Sequence, residues 1–162
     1  AVLAASAILS GRPVKWIEDR REHFMATTQE RDQYWAMEIA CDDEARILGV
    51  RGSLIHDHGA YTARGVNITT NSAENLTLPY VVPAYRLNVR LGLTNKVPVT
   101  PVRGAGTPQA TFVMERLLDR VARELGLDRA EVRRRNLIPA DSLPYTTPLI
   151  SRGGHAGGAR FR

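Results

Sequence analysis

The sequence predicts an α+β fold in which mixed extended strands, including a hairpin, are followed by two amphipathic helices. Three observations predict it. Two apolar runs, 34–41 and 46–55, flank a short acidic stretch at 42–45, the pattern of an antiparallel hairpin. Residues 85–93 alternate strictly, with Tyr85, Leu87, Val89, Leu91 and Leu93 on one side and Arg86, Asn88, Arg90 and Gly92 on the other, so a half-exposed strand is expected. The third observation is a long helical period over 107–125 and a shorter one over 128–136.

The elements follow in order. Residues 1–10 are apolar without an initiating Met or a basic flank; they read as the end of a buried helix rather than a signal peptide. Gly11 and Pro13 stop that helix. Residues 14–19 resemble a short strand and 20–26 a short helix, with Trp16, Trp35 and Tyr85 expected in the core. The hairpin strands are apolar enough for both faces to be covered. Residues 56–78 show little periodicity and much Thr, Asn and Gly, which suits a loop with short helical turns or a ligand-facing segment. In 107–125, Thr107 is placed to cap the first amides, Pro108 suits the first turn and Gly126 supplies the stop. Phe112, Val113, Leu117, Val121 and Leu125 form its apolar stripe. Asp128 and Glu131 mark the start of the last helix, which ends before Pro139. No internal repeat is present.

Composition bounds the function. The 162 residues suffice for one domain, and 43% hydrophobic with 24% charged residues argues against wholesale disorder. A single cysteine, Cys41, excludes a disulfide framework within the chain and fits a reducing, cytoplasmic setting. No apolar run reaches the roughly 18 residues of a membrane helix. The net charge of +5 is concentrated at one end: three of the 22 basic residues lie in the Gly/Arg-rich tail 151–162, and without them 19 basic residues face 17 acidic ones. That tail, expected to lack fixed structure, follows a domain expected over 1–150.

The chemically informative segment is Val102-Arg-Gly-Ala-Gly-Thr-Pro-Gln109, between an extended stretch and a helix start. Gly104 and Gly106 let the backbone approach a ligand closely, the helix start offers unpaired N–H groups, and Arg103 adds a fixed cation. The spacing is neither the dinucleotide nor the Walker pattern. His56 and His58, two apart on an extended run, share a side, but no cluster completes a metal shell, so a strand-end or surface pair is expected and no metal ligand is assigned. Arg133, Arg134 and Arg135 suit a solvated helix face; with the tail they also support a small basic nucleic-acid-binding module as the alternative function. No nucleophile–base pair is evident, and no catalytic residue is assigned within the chain.

Five motifs stand in one order: Gly11-Arg-Pro-Val-Lys-Trp-Ile-Glu-Asp-Arg20, Pro79-Tyr-Val-Val-Pro83, Thr94-Asn-Lys-Val-Pro98, Arg103-Gly-Ala-Gly-Thr-Pro-Gln109 and Glu131-Val-Arg-Arg-Arg-Asn-Leu137. Together they resemble the molybdopterin-binding large subunit of the xanthine dehydrogenase, aldehyde oxidase and aerobic carbon monoxide dehydrogenase family, over roughly residues 1–149. The resemblance implies part of a larger molybdenum-cofactor-binding domain of an oxidoreductase. It further implies a molybdenum ion held by a pterin, and hydroxylation of an aldehyde or N-heteroaromatic carbon with water. Electrons would leave to 2Fe-2S and FAD centres on partner chains, an iron–sulfur subunit and a FAD subunit of a hetero-oligomer. By the match, Arg103, Gly104, Ala105 and Gly106 border cofactor and substrate, Ala105 faces the substrate, and Gln109 lies just behind. The carbon monoxide enzymes carry a cysteine where this chain has Gly104. Purine enzymes carry an aromatic residue at Ala105 and an arginine that aligns with Asn71. The loop is most similar to the second, less defined type of carbon-monoxide-dehydrogenase-like subunit. The family's Gly-rich pterin loop and catalytic glutamate have no counterpart in the 162 residues, so a fragment of a longer subunit, inactive alone, is expected; a non-catalytic remnant is the blander alternative.

Overall fold

The computed structural model describes residues 1–30, 32–61 and 64–147, together with the backbone of 160–161. The expected tail at 151–162 otherwise lies outside the described residues. The elements are α1 (Val2–Ser10), α2 (Arg20–Ala26), β1 (Gln33–Cys41), β2 (Ile47–Asp57), α3 (Gly65–Glu74), β3 (Tyr85–Gly92), α4 (Thr107–Leu125) and α5 (Arg129–Asn136). A 3₁₀ turn (Ala140–Ser142) and a small ladder of β4 (Tyr145–Thr146) with β5 (Arg160–Phe161) follow.

The main sheet has the order β1-β2-β3. β1 and β2 pair antiparallel as the expected hairpin, with a register irregularity at Ala40 and Cys41, and β2 pairs with β3 in parallel. A parallel neighbour requires a crossover, and the connection from β2 to β3 carries α3. Helix α4 packs on β1 and α3, and α5 packs on α4. The core between them is apolar: Ile47, Val50, Leu76, Val82, Met114, Leu118, Val121 and Val132 are buried, with Trp35 and Tyr85 packed partly buried against them.

Three polar fixtures hold the layers in place. The Asn136 side chain is buried at the end of α5; its Oδ1 accepts from Ile47 N at 2.8 Å and its Nδ2 donates to Ala45 O at 2.7 Å, tying α5 to the hairpin turn. Arg133 reaches Glu115 at 2.6 Å and Asp119 at 2.9 Å across α4 and α5. Tyr80 Oη donates to Glu115 at 2.6 Å, and burial together with that carboxylate raises its pKa.

Several expectations are corrected. Residues 14–19 form no strand among the described residues; no neighbouring strand lies alongside, and Trp16 and Ile17 are exposed rather than core. Helix α1 forms where expected and ends at Gly11 in the left-handed conformation, but none of its residues is buried. The hairpin covers one face only: β1 alternates between half-buried and exposed residues. Residues 65–74 are a full helix, not a loop with turns. Its inward side is Gly65, Ile68, Thr69 and Ser72; with Ile68 the one apolar side chain among these four, the set carries no hydrophobic period. At α4 the N-cap is Gly106, not Thr107, and no side chain caps the helix. The buried face of α4 is Ala110, Met114, Leu118, Val121 and Ala122, rotated from the expected stripe; Phe112 is 66% exposed. Asp128 does cap α5, accepting from Glu131 N at 2.9 Å.

Candidate functional site

Arg103, Gly104, Ala105 and Gly106 form the turn that feeds α4. Gly104, Ala105 and Gly106 have φ of 90°, 45° and 99°, three consecutive residues in the left-handed region. Thr107 N donates to Gly104 O at 3.0 Å and Ala110 N to Gly106 O at 3.1 Å, so the turn runs directly into the helix ladder. Gly106 is buried, and a Cβ there would stand 2.1 Å from Ile68 O and 2.7 Å from Ser72 Oγ. Only glycine permits this approach. Helix α3 therefore sets the position of the turn.

A polar chain extends from this contact. Ser72 Oγ lies 2.9 Å from Ile68 O and 3.1 Å from Gly106 O, and accepts from Gln33 Nε2 at 3.0 Å. Trp35 Nε1 donates to Gln33 Oε1 at 3.0 Å. The turn, α3 and β1 are thus joined by side chains that sequence reasoning did not single out; Ser72 and Gln33 had no motif to mark them.

Arg103 and Gly104 are exposed and Ala105 half-buried, and residues 103–106 do not line the large cavity next to them. That cavity, about 760 Å³, opens between β1 and α4, with Gln33, Trp35, Pro108, Gln109 and Phe112 in the wall nearest the turn. Both polar atoms of the Gln109 amide are buried without a hydrogen-bond partner. A buried amide with neither donor nor acceptor satisfied costs a few kcal/mol, so the site is shaped for a further polar group. The turn, the unpartnered amide and the uncapped helix start together suit a group rich in oxygen and nitrogen acceptors and donors. In that respect the residues present fit a pterin-type cofactor.

His56 and His58 are not a surface pair. Both are fully buried, their rings 4.8 Å apart and edge-on, and none of their ring nitrogens has a protein hydrogen-bond partner. Burial and the neighbouring imidazole lower the pKa of His56 to about 4, and burial lowers that of His58, so the pair is neutral near pH 7. Asp57 between them turns away: its carboxylate accepts from Gly59 N at 2.9 Å and Thr94 Oγ1 at 2.7 Å and lies 2.9 Å from Lys96 Nζ. Those hydrogen bonds hold its pKa at about 2. Among the described residues no three His, Cys, Asp or Glu side chains cluster as a metal site. Arg134 and Arg135 pair with Glu131, and Arg133 is clasped by α4, which ties the three arginines of the alternative nucleic-acid reading to carboxylates. No described helix is long and apolar enough to cross a membrane.

Comparison with known proteins agrees with this arrangement. Residues 1–137 match the model of the molybdopterin cofactor-binding domain. The chain is 40% identical over 149 residues to the 6-hydroxypseudooxynicotine dehydrogenase complex subunit gamma of Paenarthrobacter nicotinovorans, covering 91% of this chain and 19% of that subunit. It is 34% identical over 146 residues to the carbon monoxide dehydrogenase large chain of Hydrogenophaga pseudoflava, covering 88% of this chain and 18% of that one. The crystal structure of quinoline 2-oxidoreductase from Pseudomonas putida 86 superposes with a TM-score of 0.84 at 33% identity, over 99% of this chain and 20% of that chain. The chain thus spans about a fifth of the relatives it matches. With its α+β architecture, it belongs to the molybdopterin-binding large-subunit family of molybdenum-hydroxylase-type oxidoreductases.

Proposed function

We propose that this chain forms one wall of a molybdenum-cofactor pocket in a hydroxylase acting on an aldehyde or N-heteroaromatic carbon. The observation that carries the reading is the Gln109 amide, buried and unpartnered, one helical turn from three consecutive left-handed residues. When bound, a molybdopterin group supplies the redox-active metal for oxygen insertion from water. The chain's own residues position and polarise. Arg103 brings a permanent cation with five N–H donors to the turn. Gly104 and Gly106 keep the backbone bare, so its amides can approach a ligand, and the uncapped start of α4 adds partial positive charge. Ala105, with its methyl side chain, leaves room for a substrate ring. Gln109 donates and accepts from behind the turn. The general base and most cofactor contacts belong to polypeptide beyond these residues, so the chain alone is inactive. In the assembled enzyme, electrons pass to 2Fe-2S and FAD centres on an iron–sulfur subunit and a FAD subunit, and the hetero-oligomer resides in the cytoplasm. We assign residues 138–150 to the same domain and 151–162 to a separate tail.

The test is a titration of the isotope-labelled chain with isolated molybdopterin, followed by NMR. Selective shifts of the Gly104 and Gly106 amides and the Gln109 side-chain amide are expected, with Gln109→Leu weakening them. Shifts spread evenly over the surface, or none at the turn, would refute the reading.

A further inference from the structure

We infer that the outer edge of β1 and the groove beneath α4 form a docking site for an extended polypeptide segment, apolar at one end and acidic at the other. Three observations carry this, on the stretch of the 760 Å³ cavity that runs away from Gln109 along α4. β1 is an edge strand: β2 occupies one side, and no described strand pairs with the other. An unpaired edge offers a row of backbone donors and acceptors to another strand.

The second observation is where the core stops. β2 contributes fully buried Val50 and Leu54, whereas no residue of β1 is buried, although Trp35, Met37, Ile39 and Cys41 all face the core. On α4, Phe112 of the sequence's apolar stripe is 66% exposed, and Val113 and Leu117, packed only partly buried against the core, also line the groove. A helix whose sequence pattern is wider than the face it buries has apolar surface reserved for another neighbour.

The third observation is charge. Two cavities, about 760 and 390 Å³, share Met37, Leu117 and Arg120 and so join into one groove along β1 and α4. The nine residues of β1 span roughly 30 Å and the 19 of α4 about 28 Å, so helix and strand edge the groove over equal lengths. Arg116, Arg120 and Arg123 line it; Arg116 is 3.5 Å from Asp119, while Arg120 and Arg123 have no ion-pair partner among the described residues. Of the acidic groups at the far end, Glu38 is held by Arg51 at 2.6 Å, and Glu124 lies beyond the arginines. A strand laid on β1 would therefore pass apolar side chains under Phe112 and Val113 and place carboxylates beside Arg120 and Arg123. Subunits of this family carry ample polypeptide to supply it, since the matched region is 19% of the relative that is 40% identical.

The experiment uses the whole chain with Trp16→Phe, which leaves Trp35 in the groove as the sole tryptophan. Two capped nonapeptides serve as probes, each with valines over its first five residues, one ending in four glutamates and the other in four lysines. Saturable change of Trp35 emission by the glutamate peptide is expected, with the lysine peptide about tenfold weaker. In R120E/R123E the preference should reverse. Hydrogen exchange should slow at β1 amides and not at the outer edge of β3. Equal binding of both peptides, protection at β3 instead, or no binding by a chain whose circular dichroism shows it folded would overturn the inference. So would a concentration-dependent dimer whose β1 protection neither peptide displaces. Should R120E/R123E fail to fold, the comparison of the two peptides on the Trp16→Phe chain decides the matter.

Discussion

Helices α1 and α4 were both legible as helices, α4 the more clearly, and they could hardly be used more differently. α4 buries Ala110, Met114, Leu118, Val121 and Ala122. α1 is apolar almost throughout and buries nothing: Val2, Ile8 and Leu9 are 80%, 81% and 87% exposed. Both end at a glycine in the left-handed conformation. The difference teaches that helix formation is written in local spacing and stop signals, while burial depends on what lies opposite. α1 has no such neighbour among the described residues; α4 has the sheet, α3 and α5.

The comparison can be broken by hydrogen exchange, where the largest effect is expected. Amides in the middle of α4 should exchange at least about 10³-fold more slowly than those of α1, because their opening requires global unfolding. Comparable protection in the two helices would mean that α1 finds a partner in solution. Next in size, Leu118→Ala should cost roughly 3–4 kcal/mol in urea unfolding, since it empties a fully buried site. Gly106→Ala should follow at about 2–3 kcal/mol, because the new methyl meets Ile68 O and Ser72 at a residue with φ of 99°; full stability would show that α3 and the turn can part freely.

An effect that depends on pH comes from the end of β2. The folded-state pKa of His56, about 4, lies below its unfolded value, so the unfolded chain binds more protons between these limits. Stability is therefore fully present above about pH 6.5 and falls as the pH is lowered toward 4. His58 acts in the same direction, while the negative charges of Asp32 and Asp57 moderate the loss. The urea midpoint should decline over that window, and His56→Asn should flatten the decline; a midpoint constant from pH 7 to 4 would contradict it. Smallest of all, Leu9→Ala should change stability by less than about 0.5 kcal/mol, and a cost near that of Leu118→Ala would erase the contrast between the helices.

What could be read in advance follows the same division. The hairpin, β3, α4 and α5 were legible because each carries its own period and its own stops. The glycine turn was legible as a motif, while the left-handed conformation of Ala105 between its two glycines had no residue type to signal it. α3 was not, because Gly65, Thr69 and Ser72 owe their burial to close approach rather than to apolarity. Trp16 misled for the opposite reason: a large aromatic residue signals burial against something, and that something is not among the described residues. At the site, Gln109 was named from the resemblance, but its unsatisfied amide emerged only with the geometry, as did the burial of both histidines.

The meeting of Gly106 with Ile68 and Ser72 leaves no side-chain cushion between the turn and α3. Two pieces of backbone in direct touch behave as a single strut, so the turn's location is inherited from a helix whose first residue in turn rests against the ring of His58. Between that far sheet end and the turn before α4 there is thus close contact at Gly65 and again at Gly106, with no soft packing layer at either glycine.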